Sequence, residues 1–309
     1  MPAQKRKVRN YRPKKTNPAK IYLIYIFGVL VLIAIPFLYK NIFSRKYFNG
    51  VDKMSLAVQE KSGDVSILVF DPVRQEITKV RIPGDTQVEV AGGLGVWKIK
   101  SIWELGIDRK LDGHLLTKTL TNYMKFPVFV WAGSDAIYYF ENNLSKMLSL
   151  IIKPQKTNLN LADKIALSFF SLNVKNTGRR EIDLSETSFL KKKVLTDGNE
   201  GFVLSGQDSP ILYSYFSDYN FSDKALRVLI KDATGKAGLA DNAGEIVEVM
   251  GGKIASIIRV NEEESVCNVS GPNSKLSDLT ARVLGCTISK ESYEGNYDME
   301  ILLGKLFIN

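Results

Sequence analysis

Hydrophobic and polar residues follow three rhythms along this 309-residue chain. The first is an unbroken block of nineteen uncharged residues from Ile21 to Tyr39. As a helix rising about 1.5 Å per residue it spans about 28 Å, close to the hydrocarbon thickness of a bilayer. The second rhythm is a period of two. It predicts strands at Val65–Asp71 and Glu76–Ile82, joined by a turn that opens with Asp71 and Pro72, with the strand at 87–90 and the glycine turn at 91–95 extending the same sheet. The third is a helical period at 96–105 and at 115–124, where Leu116, Leu120 and Met124 recur every four residues. A buried strand is expected at 126–131, followed by helical segments near 135–142, 144–152 and 161–172 and a polar, weakly patterned stretch at 173–208.

Beyond 218–224 the pattern restarts. A strand at 226–231 leads through a glycine turn into a helix whose apolar face is Leu239, Ala243, Ile246 and Met250, closed by Gly251 and Gly252. Strands at 254–260 and 266–269, a helix at 275–284 and a last strand at 300–304 complete a small βαββαβ unit. The expected class is α/β, layered α+β: a basic tail at 1–20, a transmembrane helix at 21–43, a juxtamembrane segment or opening strand at 44–62, and domains at 63–217 and 218–309.

Charge sets the orientation. The tail carries Lys5, Arg6, Lys7, Arg9, Arg12, Lys14, Lys15 and Lys20 and no acid, whereas the far flank has only Lys40, Arg45 and Lys46. The positive-inside rule then places the N-terminus in the cytoplasm and the later domains outside, in a single-pass cell-membrane protein. A cleaved signal peptide is the rival, but the residues after Phe37 offer no small-x-small cleavage site. The net charge of +9 is also accounted for by the tail: 42 basic against 33 acidic residues become +1 once the eight tail charges are removed. The basicity reports topology and contact with anionic headgroups, and nucleic acid is not an expected partner.

Both cysteines, Cys267 and Cys286, fall on the exported side, where a helix returning beside its strand brings them into bonding range; two buried free thiols are the alternative. His114 is the only histidine and there is no CxxC, so a Cys/His metal site is excluded. Gly235-Lys236 lacks the earlier glycine and following Ser or Thr of a P-loop, and no Gly-x-Ser-x-Gly elbow occurs.

Two segments resemble known families. The run from Leu226 through Gly235 to Gly238, Leu239 and Ala240, with the closing strand at 301–304, resembles the LytR C-terminal domain. The run at 76–90, which contains Arg81-Ile-Pro-Gly-Asp-Thr, then Lys98-Ile-Lys and the segment 120–128, resembles the LytR-CpsA-Psr family, also called cell envelope-related transcriptional attenuators. That resemblance implies an envelope phosphotransferase that moves a glycan from a polyprenyl-pyrophosphate carrier to the cell wall, with a divalent metal such as Mg2+. By position, it makes Asp64 and Asp85 metal-side carboxylates and Lys98 a third catalytic candidate.

The departures point the other way. The family's arginine before Asp-Thr is Gly84 here, and no Arg-x-Arg cluster with a following Arg-Gln pair occurs. Arg81, Arg179 and Arg180 remain as ligand-binding candidates. Trp97, Trp103 and Trp131 suggest a core role before sugar stacking. Asp64, Asp85 and Lys98 also read as turn residues and a solvated charge. The expectation is therefore a non-catalytic binding or scaffolding relative with no cofactor, whose partners are the membrane, a cell-wall glycan or polyprenyl-phosphate lipid, and another envelope protein. The alternative is an active phosphotransferase.

Overall fold

The hairpin expected at 65–82 forms the middle of a sheet in the computed structural model, which describes residues 46–206, 209–289, 293 and 295–307. A preceding strand, β1 (Met54–Gln59), pairs antiparallel with β2 (Val65–Asp71), which pairs antiparallel with β3 (Glu76–Ile82). The β2–β3 turn closes as its residues dictate: Arg74 N–H donates to Asp71 Oδ1 at 3.0 Å and Gln75 takes the left-handed φ of 55°. A separate two-stranded ribbon follows, β4 (Gln87–Glu89) against β5 (Val96–Lys98). Then come a short 3-10 turn, α1 (Ile102–Asp108), α2 (His114–Met124) and β6 (Val130–Ala132).

Beyond β6 the chain forms α3 (Leu144–Ile152), α4 (Leu161–Asn173) and β7 (Arg179–Asp183). The first sheet is thus ordered β6-β1-β2-β3-β7, with β6 parallel to β1 and β7 parallel to β3. Both its faces are covered. Val65, Ile67 and Val69 pack with Leu116 and Leu120 of α2, while Leu68 and Phe70 pack with Met147 and Leu150 of α3 and Leu167 of α4. This three-layer arrangement explains why β2 is apolar at nearly every position instead of alternating.

A hairpin of β8 (Leu190–Val194) and β9 (Glu200–Leu204) and two short helices, α5 (Pro210–Phe216) and α6 (Tyr219–Ser222), lead to the second sheet. Its elements are β10 (Arg227–Asp232), α7 (Leu239–Val249), β11 (Lys253–Arg259), β12 (Cys267–Ser270), α8 (Ser274–Leu284), β13 (Thr287–Ile288) and β14 (Met299–Leu303), with strand order β11-β10-β14-β12-β13. Ala243, Ile246 and Met250 of the expected helix face join Val228, Ile230 and Ile301 in its core. A disulfide joins Cys267 of β12 to Cys286 just after α8, with Cα atoms 4.7 Å apart, well inside the bonding range.

The two sheets belong to one compact unit, Arg45–Asn309. Buried Asp218 ties them: its Oδ2 accepts Lys53 N–H at 2.9 Å, its Oδ1 accepts Asn220 N–H at 2.7 Å, and its own N–H donates to the Met250 carbonyl at 3.0 Å.

Several expectations change. The helix expected at 96–105 is a strand, a 3-10 turn and α1, because Val96, Trp97 and Lys98 pair with β4. The strand at 87–90 does not extend the main sheet but forms its own ribbon. The strand at 126–131 shrinks to Val130–Ala132, since Thr121 Oγ1 holds the Phe126 and Val128 carbonyls at 2.9 and 3.0 Å in their place. The segment 44–62 holds β1, in line with its opening-strand alternative, whereas the polar stretch 173–208 holds β7, β8 and β9. The basic tail and the anchor at 21–43 lie outside the described residues. Among the described residues no helix is long and apolar enough to cross a membrane.

Candidate functional site

The candidate residues collect around one turn, 83–86, at the end of β3. It is closed by Thr86 N–H donating to the Pro83 carbonyl at 3.0 Å. On one side, a tight turn with Gly63 at φ +93° ends β1 and delivers Asp64. Asp64 Oδ1 accepts Gly84 N–H at 2.8 Å, and its Oδ2 takes Arg81 Nη2 at 2.6 Å and Nε at 3.0 Å. Arg81 Nη1 donates to Asp183 Oδ2, the residue directly across from it on β7. Asp183 Oδ1 in turn accepts Ser185 N–H at 2.9 Å and its hydroxyl at 2.6 Å. The guanidinium is therefore clamped from two sides. Its hydrogen bond to Asp64 raises its already high pKa against the cost of burial. Burial pushes the Asp183 carboxyl up, but hydrogen bonds from Ser185 and the charge of Arg81 outweigh this and hold it below the ordinary value.

On the other side of the turn, Lys100 Nζ donates to Asp85 Oδ1 at 2.7 Å. Lys98 Nζ lies 3.5 Å from the same oxygen and 2.7 Å from Asp197 Oδ2 in the β8–β9 turn. Lys100 is the main cause that lowers the Asp85 pKa, and Asp197 is the main cause that raises that of Lys98. Asp85 and Lys98 thus meet, while Asp64 belongs to the Arg81 pair across the turn. Counting both sides, four carboxylates face three cations, a net charge of −1, and each cation is already paired.

Gly84 is the pivot. A Cβ built there stands 2.8 Å from the Gly63 carbonyl oxygen, 3.0 Å from its carbon and 3.2 Å from Lys100 Cβ. The space beside Gly84 is thus filled by the backbone of the β1–β2 turn, and a side chain at 84 requires that backbone to move.

The other candidates lie apart. Arg179 donates to the carbonyls of Tyr139, Phe140, Ser171 and Val174, bracing α4 against the segment before α3, and burial lowers its pKa. Arg180 pairs with Glu76 at 3.1 Å on the exposed surface. Trp103 and Trp131 are buried edge to face with ring centroids 5.7 Å apart, and Trp97, 44% exposed, donates its indole N–H to the Leu94 carbonyl at 2.9 Å. Of the three, Trp97 is the exposed one. A cleft of about 340 Å³ is lined by Gln59, Glu60, Trp103, Glu104, Asp135 and Lys156 and by none of the charged residues of the 83–86 turn.

The two carboxylates that the resemblance puts on the metal side, Asp64 and Asp85, are each engaged by a cation. Among the described residues no three His, Cys, Asp or Glu side chains group as ligands, and at Asp64 the ion would share a carboxylate with the Arg81 guanidinium. Three members of the site were not legible as such: Lys100, Asp183 and Asp197. Asp183 could have been found from the Ile182 alternation that makes 179–183 a strand, whereas Asp197 is brought in by the β8–β9 hairpin, which carries no local signal of its partner.

No protein-family model matches the chain, and no curated protein matches it. Solved structures do. Bacillus subtilis TagT is similar, at 15% identity over 52% of this chain and 87% of that chain, with a TM-score of 0.36. So is B. subtilis TagV, at 11% identity over 54% of this chain and 95% of that one, with a TM-score of 0.37. A third is the LytR-CPS2A-psr family protein YwtF (TagT) with bound octaprenyl pyrophosphate lipid, at 16% identity over 53% and 88% and a TM-score of 0.36. The neighbours are LytR-CpsA-Psr structures. That is the family which the motifs at 76–90 and 120–128 resemble. At such identities and TM-scores the likeness assigns no role to any residue, and it spans about half of this chain.

Proposed function

We propose that this chain is a single-pass, membrane-anchored cell-envelope protein whose domains lie outside the cytoplasm, and that it acts as a non-catalytic binding or scaffolding relative of the LytR-CpsA-Psr phosphotransferases. Its partners on this reading are the membrane, a cell-wall glycan or polyprenyl-phosphate lipid, and a further envelope protein. One observation carries the loss of catalysis. The guanidinium nearest the turn is consumed by Asp64 and Asp183, and the slot for a second one at Gly84 is filled by the Gly63 carbonyl. A pyrophosphate needs surplus positive charge, and the turn offers none.

The test uses the full-length protein in detergent with a polyprenyl-pyrophosphate-linked glycan, a peptidoglycan acceptor and Mg2+. No release of lipid phosphate above the protein-free rate is expected. A robust rate abolished by Asp85→Ala overturns the reading and establishes the phosphotransferase, which is favoured by one specific observation, the gathering of Asp64, Arg81, Asp85, Lys98 and Asp183 around a single turn. Topology has its own test. Protease added to intact cells should remove everything beyond about residue 45 and spare an N-terminal epitope; digestion of that epitope contradicts the orientation.

A further inference from the structure

Five of the exposed apolar side chains of the first domain fall on two adjacent helices. On α3, Leu144, Leu148 and Ile152 are 58, 49 and 78% exposed and recur at steps of four, which aligns them on one side of the helix. Met147 and Leu150 occupy the other side and are buried in the core, so the helix is apolar on two opposed faces. The adjacent α4 carries Leu161 and Phe169, 37 and 65% exposed, separated by two such steps. Contiguous exposed leucine, isoleucine and phenylalanine on a folded domain mark a surface that something covers.

The attachment point of the chain says what. The first described residues are fastened to the start of α4: Asp163 Oδ1, fully buried, accepts the backbone N–H groups of Lys46, Tyr47 and Phe48 at 2.9, 3.0 and 3.1 Å. Asp163 is also the third residue of the α4 capping box with Asn160, so this joint is part of the helix cap and not a loose tether. On the anchor reading the uncharged block ends at Tyr39, and seven residue steps, at most about 25 Å, lead from it to Lys46, which is fastened to the start of α4. The segment between α3 and α4 supplies the accompanying charge: Lys153 and Lys156 are exposed and carry no carboxylate partner among the described residues.

We propose that the α3 ridge Leu144, Leu148 and Ile152, with Leu161 of α4, lies in the interfacial layer of the outer leaflet, with Lys153 and Lys156 at the depth of the phosphate headgroups. An apolar helix face bordered by lysines is the chemistry that seeks this layer, at a depth of about 5–10 Å. The inference rests on the anchor reading above and adds a second, peripheral contact. It holds the domain at a set height and tilt, with the 83–86 turn carried at a constant distance from the lipid.

The test uses the full chain reconstituted in vesicles of phosphatidylcholine and phosphatidylglycerol at about three to one, with and without lipids brominated near the headgroup end of the acyl chain. Leu148→Trp and Ile152→Trp are compared with Val73→Trp, which is 61% exposed in the β2–β3 turn. Bromolipid should quench the added fluorescence at 148 and 152 several-fold more than at 73. Equal quenching at the three positions overturns the docking, whether the ridge is then covered by a second copy or by a soluble partner. Flotation of the same samples separates the premise from the proposal. Chain that floats without selective quenching retains the anchor and loses the ridge contact, whereas chain that does not float with the vesicles contradicts both. Two positions on one ridge guard against a single variant that misfolds, and retention of the Cys267–Cys286 bridge on non-reducing gels reports folding in each.

Discussion

Arg81 and Asp183 stand opposite each other on adjacent parallel strands, and the guanidinium that reaches Asp183 with one nitrogen holds Asp64 with the other two. A residue type suited to grasping phosphate is here a strap between β3, β7 and the β1–β2 turn. Both ends of the strap are partly exposed, so its worth is modest. A double-mutant cycle of Arg81→Met with Asp183→Asn is expected to give a coupling of about 0.5–1 kcal/mol by urea denaturation. A coupling of zero would mean that the strap is slack and the guanidinium is available to a ligand.

Gly84 is the most tightly enclosed position of the turn. Gly84→Ala places a Cβ against the Gly63 carbonyl, and by analogy with overpacked sites it should destabilise by about 1–3 kcal/mol. Gly84→Arg should be at least as costly and should create no phosphate release. Recovery of turnover in Gly84→Arg, measured by the lipid-phosphate assay, would show that the site had lost one side chain and nothing more.

Acid sensitivity follows from the depressed carboxyls of Asp85 and Asp183. A carboxyl whose folded pKa lies below its unfolded value stabilises fully above the ordinary value near 4 and ceases to do so as pH falls through the folded value. The stability of the protein should therefore fall as pH drops below about 4, and Asp183→Asn should flatten part of that slope. Urea midpoints measured across this range check the sign; an unchanged slope in the variant would remove Asp183 from the account.

The second sheet was the most legible region. Its strand, glycine turn, helix and closing strand are local signals, and each apolar face points into the core that the spacing implies. The main sheet was half legible: β2 and β3 alternate or run apolar, but β1 hides in a polar stretch because only its partners make it central. Strands β8 and β9 were not legible, as Lys191, Lys192 and Lys193 mask an exposed hairpin, and β7 carries only the short alternation around Ile182. At the site, Asp85 and Lys98 could be named from the motif. Their actual partners, Lys100 and Asp197, depend on a ribbon and a hairpin brought together across about a hundred residues, which no local pattern reports.

The disulfide closes a sequence separation of 19 residues and pins β12 to the end of α8. In the chain-entropy picture it contributes about 3 kcal/mol. Reduction should lower the unfolding free energy by that margin. Alkylation of the unreduced protein should label neither cysteine, and two freely reactive thiols would remove the bridge.

The central claim is that the 83–86 turn has no charge left for a pyrophosphate. Isothermal titration of the full-length protein with inorganic pyrophosphate in Mg2+ tests it directly. The account predicts no saturable heat in the millimolar range, and none in Arg81→Met. One-to-one binding in the parent protein that weakens at least tenfold in Arg81→Met, about 1.4 kcal/mol, would contradict it.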